Sequence, residues 1–184
     1  MRTTVFQVIA LGVISLTFVA EAAEQRPVLQ CLESGSTIAT SLDPAEPTIS
    51  LSPDMRSLAG VSPSVVLNVA VPSGTEPITG EVRLVANLPA GTVLLPLHRA
   101  EYWKMGSFPR EPVPTSGLAP LEPVDPTGET LYKFYFLVPR DLPAEFEVIV
   151  DPLRYKGGTL YFPPTLFKRQ PSKDTLLLCP WGVR

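Results

Sequence analysis

The sequence predicts an all-β protein: an antiparallel β-sandwich of the immunoglobulin-like class with one long proline-rich loop. Two observations carry this prediction. The chain of 184 residues contains 22 prolines, and proline removes a backbone donor and ends helices. Apolar residues also alternate with polar ones in several short runs, a pattern typical of strands that bury one face. A closed β-barrel is the alternative architecture.

Four runs predict strands most clearly, because alternate residues in each are apolar and would face a common core. These runs are 64–71, 80–88, 130–138 and 144–151. The third run, TLYKFYFLV, is apolar on much of both faces, which predicts a central strand covered on both sides. Weaker patterns predict further strands at 48–52, 92–97, 159–162 and 176–179, and an edge strand at 28–32.

Turn residues separate these runs. Short connections are predicted at 89–91 and 140–143, and the glycine pair 157–158 tolerates the positive φ angles of a tight turn. The phrase VRLVANLPAGTVLLP, a strand followed by LPAG and a second strand, resembles the hairpin of bacterial surface immunoglobulin-like modules. This resemblance supports a sandwich and implies nothing about function.

Residues 98–128 show no clear strand pattern and are rich in proline. We predict one or two helical turns over 99–105, followed by an extended, partly polyproline-like loop. Long connections without secondary structure are usually functional or disordered. This predicted loop is therefore the expected place for a binding surface.

The N-terminus has the three parts of a secretory signal peptide. Arg2 supplies positive charge, residues 5–19 are mostly apolar, and AEA at 20–22 places small residues where signal peptidase cuts. We predict a cleaved peptide over 1–22 and one β-sandwich domain over 23–184, in the periplasm or secreted. A membrane anchor is the alternative, but a span needs about 20 apolar residues.

The chain contains two cysteines, Cys31 and Cys179. Because disulfides persist in oxidising compartments, export favours a single bridge between them. Two free thiols and a metal site are the alternatives. Two cysteines with the single His98 do not provide the usual four ligands of a structural zinc site. We predict the bridge, no metal and no cofactor.

Composition and motifs exclude several function classes. The net charge is −3, whereas a nucleic-acid binder normally has a basic excess. A serine-histidine-acid triad would need His98 with Ser107 and Asp125, but no G-x-S-x-G sequence occurs. Residues 125–129 predict a β-turn rather than a calcium loop. We expect that the chain is not an enzyme. The alternative is an exported hydrolase whose active site is built on paired carboxylates.

Two clusters combine aromatic and basic residues, which together can stack on sugars or hold acidic groups of a partner. The first, predicted as the binding site, comprises Tyr102, Trp103, Lys104, Phe108 and Arg110. The second comprises Arg154, Tyr155, Lys156, Tyr161, Phe162, Phe167, Lys168 and Arg169. The alternative is structural: Phe162 and Phe167 would belong to the core, and Trp103 would close one end of the sandwich.

The sequence thus predicts an exported, non-catalytic interaction domain that binds another protein, with Tyr102 and Trp103 as anchors. The alternative is a carbohydrate-binding module for cell-wall or surface polysaccharide. We expect no nucleic-acid partner and no membrane span after the signal peptide is removed. Fold class alone does not decide between the two functions.

Overall fold

A computed structural model of the chain describes residues 31, 38–39, 45–54, 62–104, 111–112, 120–170 and 175–179. All regular secondary structure within these ranges is β-strand. The predicted signal peptide lies outside the described residues, and so does the predicted edge strand at 28–32 apart from Cys31. None of the described residues forms a helix with the length and apolarity needed to cross a membrane.

The described residues form thirteen strands that make two large antiparallel sheets and one small one. The strands are β1 (Ile38–Ala39), β2 (Thr48–Pro53), β3 (Ser64–Pro72), β4 (Leu84–Leu88), β5 (Gly91–Leu94), β6 (Leu97–Lys104), β7 (Glu111–Pro112), β8 (Glu129–Leu137), β9 (Glu145–Val150), β10 (Leu153–Tyr155), β11 (Gly158–Leu160), β12 (Thr165–Gln170) and β13 (Thr175–Cys179). One sheet has the order β1-β2-β3-β8-β6-β7 and the other β13-β12-β9-β4-β5, while β10 and β11 pair with each other.

The two large sheets contribute to one hydrophobic core. Val65, Leu67 and Phe134 enter it from the six-stranded sheet, and Phe146 and Phe167 from the five-stranded sheet. Each of these side chains is at most 2% exposed. Burying one such side chain stabilises the fold by about 1.5–3 kcal/mol. The result is the all-β, antiparallel, sandwich-like arrangement that the alternating runs predict.

The strands with the clearest patterns are all present. β8 lies between β3 and β6, which confirms that it is central. β4 begins at Leu84 instead of at 80, because its partner β9 ends at Val150, the residue opposite Leu84. β3 is buried on both faces from Ser64 to Val71, whereas its pattern predicts a polar outer face. In the register of the two strands, longer outer side chains of β8 lie opposite smaller outer residues of β3, as Tyr135 does opposite Val66.

The prediction of a loop over 98–128 is wrong in its first part. Residues 97–104 form β6, an eight-residue strand paired with β8, and no helical turn occurs at 99–104. The register shifts between Leu97 and Arg99, so His98 is an extra residue in a β-bulge. Residues 111–112 form β7. Residues 120–128 are a connection, as predicted, with a single bridge from Leu121 to Ile78.

Cys31 and Cys179 form the predicted disulfide, which closes a loop with a sequence separation of 148. Cys179 is buried at the end of β13, an edge strand of the five-stranded sheet. β13 also contacts β2 of the other sheet. The bridge therefore fastens the N-terminal part of the chain where the two sheets meet, and it is consistent with an oxidising compartment.

Removing this bridge by the double substitution Cys31→Ser and Cys179→Ser is expected to lower the free energy of unfolding by about 2–5 kcal/mol, because the bridge restricts the unfolded chain. Urea unfolding followed by circular dichroism measures the change. Wild-type protein under reductant is the control, and it should unfold at the same urea concentration as the variant. A double variant as stable as the oxidised wild type would contradict the prediction.

Asp125 organises the turn that leads into β8. Its Oδ1 accepts hydrogen bonds from the backbone N and the Oγ1 of Thr127 and from the backbone N of Gly128, at 2.9, 3.0 and 3.1 Å. The backbone N atoms of Val124 and Asp125 in turn donate to Thr130 Oγ1, at 2.9 and 3.1 Å. The hydrogen bond from the Thr127 backbone is the main cause that lowers the pKa of Asp125. The carboxylate thus closes the turn that the sequence predicts.

The lowered pKa of Asp125 predicts a pH-dependent contribution to stability. A group whose pKa is lower in the folded state stabilises above its unfolded pKa, near 3.8, and loses that effect as the pH falls through the folded value. Asp125→Ala should therefore lower Tm most at neutral pH, and the difference from wild type should shrink below pH 3.8.

Thermal unfolding at a series of pH values measures that difference. Asp141→Ala, at an exposed aspartate in the turn between β8 and β9, is the matched control and should change Tm little. An Asp125→Ala effect that stayed constant from neutral to acidic pH would refute the role assigned to the charge.

Candidate binding face

Strand β6 separates its side chains cleanly between the two faces of the six-stranded sheet. Ala100 is 2% exposed in the core, and Tyr102 packs against the core beside Tyr132, with 5.6 Å between the ring centroids. Because side chains alternate along a strand, Arg99 and Trp103 lie on the opposite, outer face. The bulge at His98 determines which side chains of β6 face the core, since it lets both Leu97 and Ala100 contribute to the core side.

β8 adds two residues to the same outer face, since Tyr135 lies opposite Arg99 and Lys133 lies opposite Glu101 in the register of the two strands. Their neighbours along β8, Phe134 and Phe136, are in the core. We name the resulting group the outer cluster. It consists of Arg99, Glu101, Trp103, Lys133 and Tyr135.

Tyr135 is the centre of the first half of the outer cluster. The Arg99 guanidinium carbon lies 4.1 Å from the centroid of the Tyr135 ring. The Tyr135 hydroxyl donates a hydrogen bond of 2.7 Å to Glu101 Oε1, and Arg99 Nε lies 3.9 Å from Glu101 Oε2. Burial, and then the hydrogen bond to the carboxylate, raise the pKa of Tyr135. The phenol therefore stays protonated and holds the carboxylate in place.

Trp103 and Lys133 form the second half. The Lys133 ammonium lies 4.4 Å from the centroid of the Trp103 ring, a cation–π contact between neighbouring strands. Both side chains are half-buried. Together with the Arg99–Tyr135 pair, the outer cluster thus presents two cations over two aromatic rings, with the Glu101 carboxylate between them.

This arrangement suits recognition of another macromolecule. Tryptophan, tyrosine and arginine are the residue types most often found at the energetic centres of interfaces. The Arg99 side chain is 45% exposed, so it is accessible to a partner, whereas the Glu101 side chain is only 11% exposed. The mutual contacts order the long side chains in advance, which lowers the entropy cost of binding.

The predicted site residues divide between the two faces. Trp103 belongs to the outer cluster, while Tyr102 faces the core and supports the sheet. Lys104 is half-buried at the end of β6, opposite Thr130. Phe108 and Arg110 lie outside the described residues. Trp103 is thus a half-buried residue of a sheet face, and neither an exposed loop residue nor a buried plug.

The second predicted cluster is divided as well. Phe162 and Phe167 are core residues at 1% and 0% exposed, as their structural interpretation predicts. The Arg169 guanidinium donates to the carbonyl oxygens of Pro139 and Arg140, at 2.7 and 2.9 Å, and so fastens β12 to the turn after β8. Tyr161 is 61% exposed.

Tyr155 and Lys156 line a shallow cleft of about 430 Å³ at the turn between β10 and β11. Lys156 forms an ion pair with Glu76, which raises the pKa of the lysine. A Cβ at Gly157 would collide with the Tyr155 ring, so glycine allows the ring to lie against the turn. The cleft offers an aromatic ring, a cation, a carboxylate and nearby hydroxyl groups.

Sequence reasoning missed Arg99 and Glu101. The signal that could have found them is the alternation in RAEYW, where Arg99, Glu101 and Trp103 share one face and Ala100 and Tyr102 share the other. The preceding Pro96 and the bulged His98 interrupt the pattern on its N-terminal side. Lys133 and Tyr135 lie in TLYKFYFLV, the run that predicts a central strand covered on both sides.

Comparison with known proteins finds no family model, curated protein or solved structure that matches this chain. Within the ranges that the structure describes, no group of three or more histidine, cysteine, aspartate and glutamate residues is arranged to hold a metal ion. Function is therefore inferred from the contacts of the chain's own residues.

The Glu101–Tyr135 hydrogen bond is expected to contribute to stability as a unit. In a double-mutant cycle of Glu101→Leu and Tyr135→Phe, we expect a coupling energy of about 1.5–3 kcal/mol, because each single change removes one side of a buried hydrogen bond to a carboxylate. Urea unfolding of the four proteins gives the coupling.

The exposed hydrogen bond from Asn87 Nδ2 to Glu147 Oε2, 2.9 Å long, provides the matched control. A cycle of Asn87→Ala and Glu147→Ala should show a much smaller coupling, since water replaces the lost partner there. Equal coupling in the two cycles would mean that burial does not strengthen the Glu101–Tyr135 pair.

Proposed function

We propose that this chain is an exported, non-catalytic interaction domain that binds another protein through the outer cluster. The observation that carries the proposal is the pair of cation–π contacts, Arg99 with Tyr135 and Lys133 with Trp103, side by side on neighbouring strands. Rings and cations held by such contacts form a preorganised surface to which a partner can bind.

Each residue of the outer cluster has a part in this proposal. Trp103 is the anchor, since its half-buried ring can be covered further by an apolar side chain of the partner. Arg99 and Lys133 give the surface a positive balance over the one carboxylate and favour a partner with an acidic group. Glu101 holds Tyr135 and Arg99 in position and takes no part in chemistry. Tyr102 faces the core, where it packs against Tyr132 and stabilises the sheet that carries the outer cluster.

Export is the second part of the proposal. The predicted signal peptide over 1–22 would direct the chain to the periplasm or out of the cell. The Cys31–Cys179 disulfide supports this, because such bonds persist in oxidising compartments. The partner would accordingly be another exported protein or the exposed part of a membrane protein.

We also propose that the fold belongs to the immunoglobulin-like class. Its support is the exchange of the chain between two antiparallel sheets, from β3 to β4, from β5 to β6 and from β8 to β9. Domains of this class can bind through the loops at one end. In this chain the proposed binding surface, the outer cluster, lies on a sheet face instead.

A carbohydrate-binding module is the second candidate, and the cleft beside Tyr155 is the observation that favours it. An aromatic ring together with the Glu76–Lys156 pair and the Thr75 hydroxyl offers both stacking and hydrogen bonding to a sugar. The cleft is separate from the outer cluster, so substitutions distinguish the two candidates.

Affinity capture from the exported fraction of the producing cell tests the proposed function. We expect Trp103→Ala to weaken binding of the captured protein by 2 kcal/mol or more, roughly thirtyfold, with Tm within a few degrees of wild type. Tyr161→Ala is the matched control, because it removes an exposed aromatic ring between β11 and β12. It should leave capture unchanged.

Two results would count against the proposal. One is a Trp103→Ala variant that binds the partner as tightly as wild type. The other is binding of wild type to a polysaccharide on a glycan array that is lost with Tyr155→Ala and kept with Trp103→Ala, which would favour the carbohydrate-binding module.

A further inference from the structure

Among the strands that the structure describes, β5 is an open edge of the five-stranded sheet. It is the last strand in the sheet order, and all four of its residues are exposed. Val93 and Leu94 are 37% and 53% exposed, and both are large hydrophobic residues. Open edges present unpaired backbone groups, and proteins usually protect them against pairing with another chain.

The opposite edge of the same sheet is closed. Leu176, Leu178 and Cys179 on β13 are at most 3% exposed, and the disulfide to Cys31 adds a covalent tie there. The contrast between the two edges places the accessible backbone of this sheet at β5.

The register of β4 and β5 shows which backbone groups point outward. Leu95 N donates to Leu84 O at 2.9 Å, so residue 95 directs its backbone towards β4. In an antiparallel ladder this direction alternates, and Val93 and Gly91 therefore also face β4. Thr92 and Leu94 direct their N–H and C=O groups to the open edge.

The edge also lacks the usual charged protection. No charged residue occurs from 84 to 97, a stretch that includes β5 and both of its flanks. If two copies of one strand paired about a two-fold axis, a charged side chain near that axis would lie opposite the same charge of the other copy and repel it. Pro89 lies between β4 and β5, and Pro96 lies between β5 and β6. Because proline has no N–H to donate, new pairing is limited to β5 itself.

We propose that β5 pairs antiparallel with β5 of a second copy of this chain, around a two-fold axis at Val93. Thr92 of each copy then lies opposite Leu94 of the other, and their outward N–H and C=O groups form two reciprocal pairs of hydrogen bonds. Val93 meets its own copy at the axis. The two five-stranded sheets become one continuous sheet.

A second copy fits this edge because the strand is complementary to itself. A shift of two residues in register would put the two-fold axis on Thr92 or on Leu94, and fewer hydrogen bonds would form because only that one outward residue would face its own copy within β5. The Val93 axis keeps the core side of both copies on the same side of the joined sheet. The contact is short, so the dimer forms at high protein concentration. It uses the sheet opposite the outer cluster and does not depend on the proposed function.

Sedimentation velocity on the disulfide-bonded protein, from about 1 µM to about 1 mM, tests this pairing over the range of weak association. Wild type should show a monomer–dimer equilibrium. Val93→Lys should weaken dimerisation by about tenfold or more, because two ammonium groups meet at the axis. Val93→Thr, which keeps the β-branched shape, is the matched control and should still dimerise.

A charge-swap arm makes the test specific to a self-pairing strand. Val93→Lys and Val93→Glu should each be monomeric alone, and their equimolar mixture should dimerise, since opposite charges then meet at the axis. Melting curves verify that each variant folds. The proposal is overturned if wild type is monomeric throughout, as expected if another protein's strand occupies the edge. It is equally overturned if Val93→Lys dimerises like wild type or if mixing restores nothing.

Discussion

The pairing of β3 with β8 is the constraint on which the rest of the structure depends. Each strand is nine residues long, and together they form the centre of the six-stranded sheet. Their register places Leu67 opposite Phe134 on the core side and Val66 opposite Tyr135 on the outer side. A slip by one residue would exchange the two faces. It would bury Lys133 and expose Phe134, so the hydrophobic core enforces this register.

The outer cluster follows from that register through β6. Because β8 presents Tyr135 and Lys133 outward, the strand that pairs with it brings Arg99 and Trp103 over their neighbours. The bulge at His98 is essential to this geometry, since it adjusts the phase of β6 so that Ala100 fits the core. The same packing that stabilises the fold therefore orders the surface that we propose for binding.

Sequence periodicity predicted the strands whose core faces are uniformly apolar, such as β3 and β9. It failed for β12, because only Thr165 and Phe167 of that strand are buried and its end, KRQ, is polar. It failed for β6 because the bulge interrupts the alternation. Trp103 was found by residue type alone. Its neighbours were not, since the contact of Lys133 with Trp103 depends on pairing between distant strands, which period-two patterns do not encode.

The Cys31–Cys179 bond also has a mechanical consequence. It joins the chain just before the first described strand to the end of the last one. Tension applied between the segment before Cys31 and the segment after Cys179 passes through the covalent S–S link. The hydrogen-bonded ladders between these positions carry none of that load. In the oxidised protein, both sheets are consequently shielded from any pull that reaches the domain through the segments on either side of the bond.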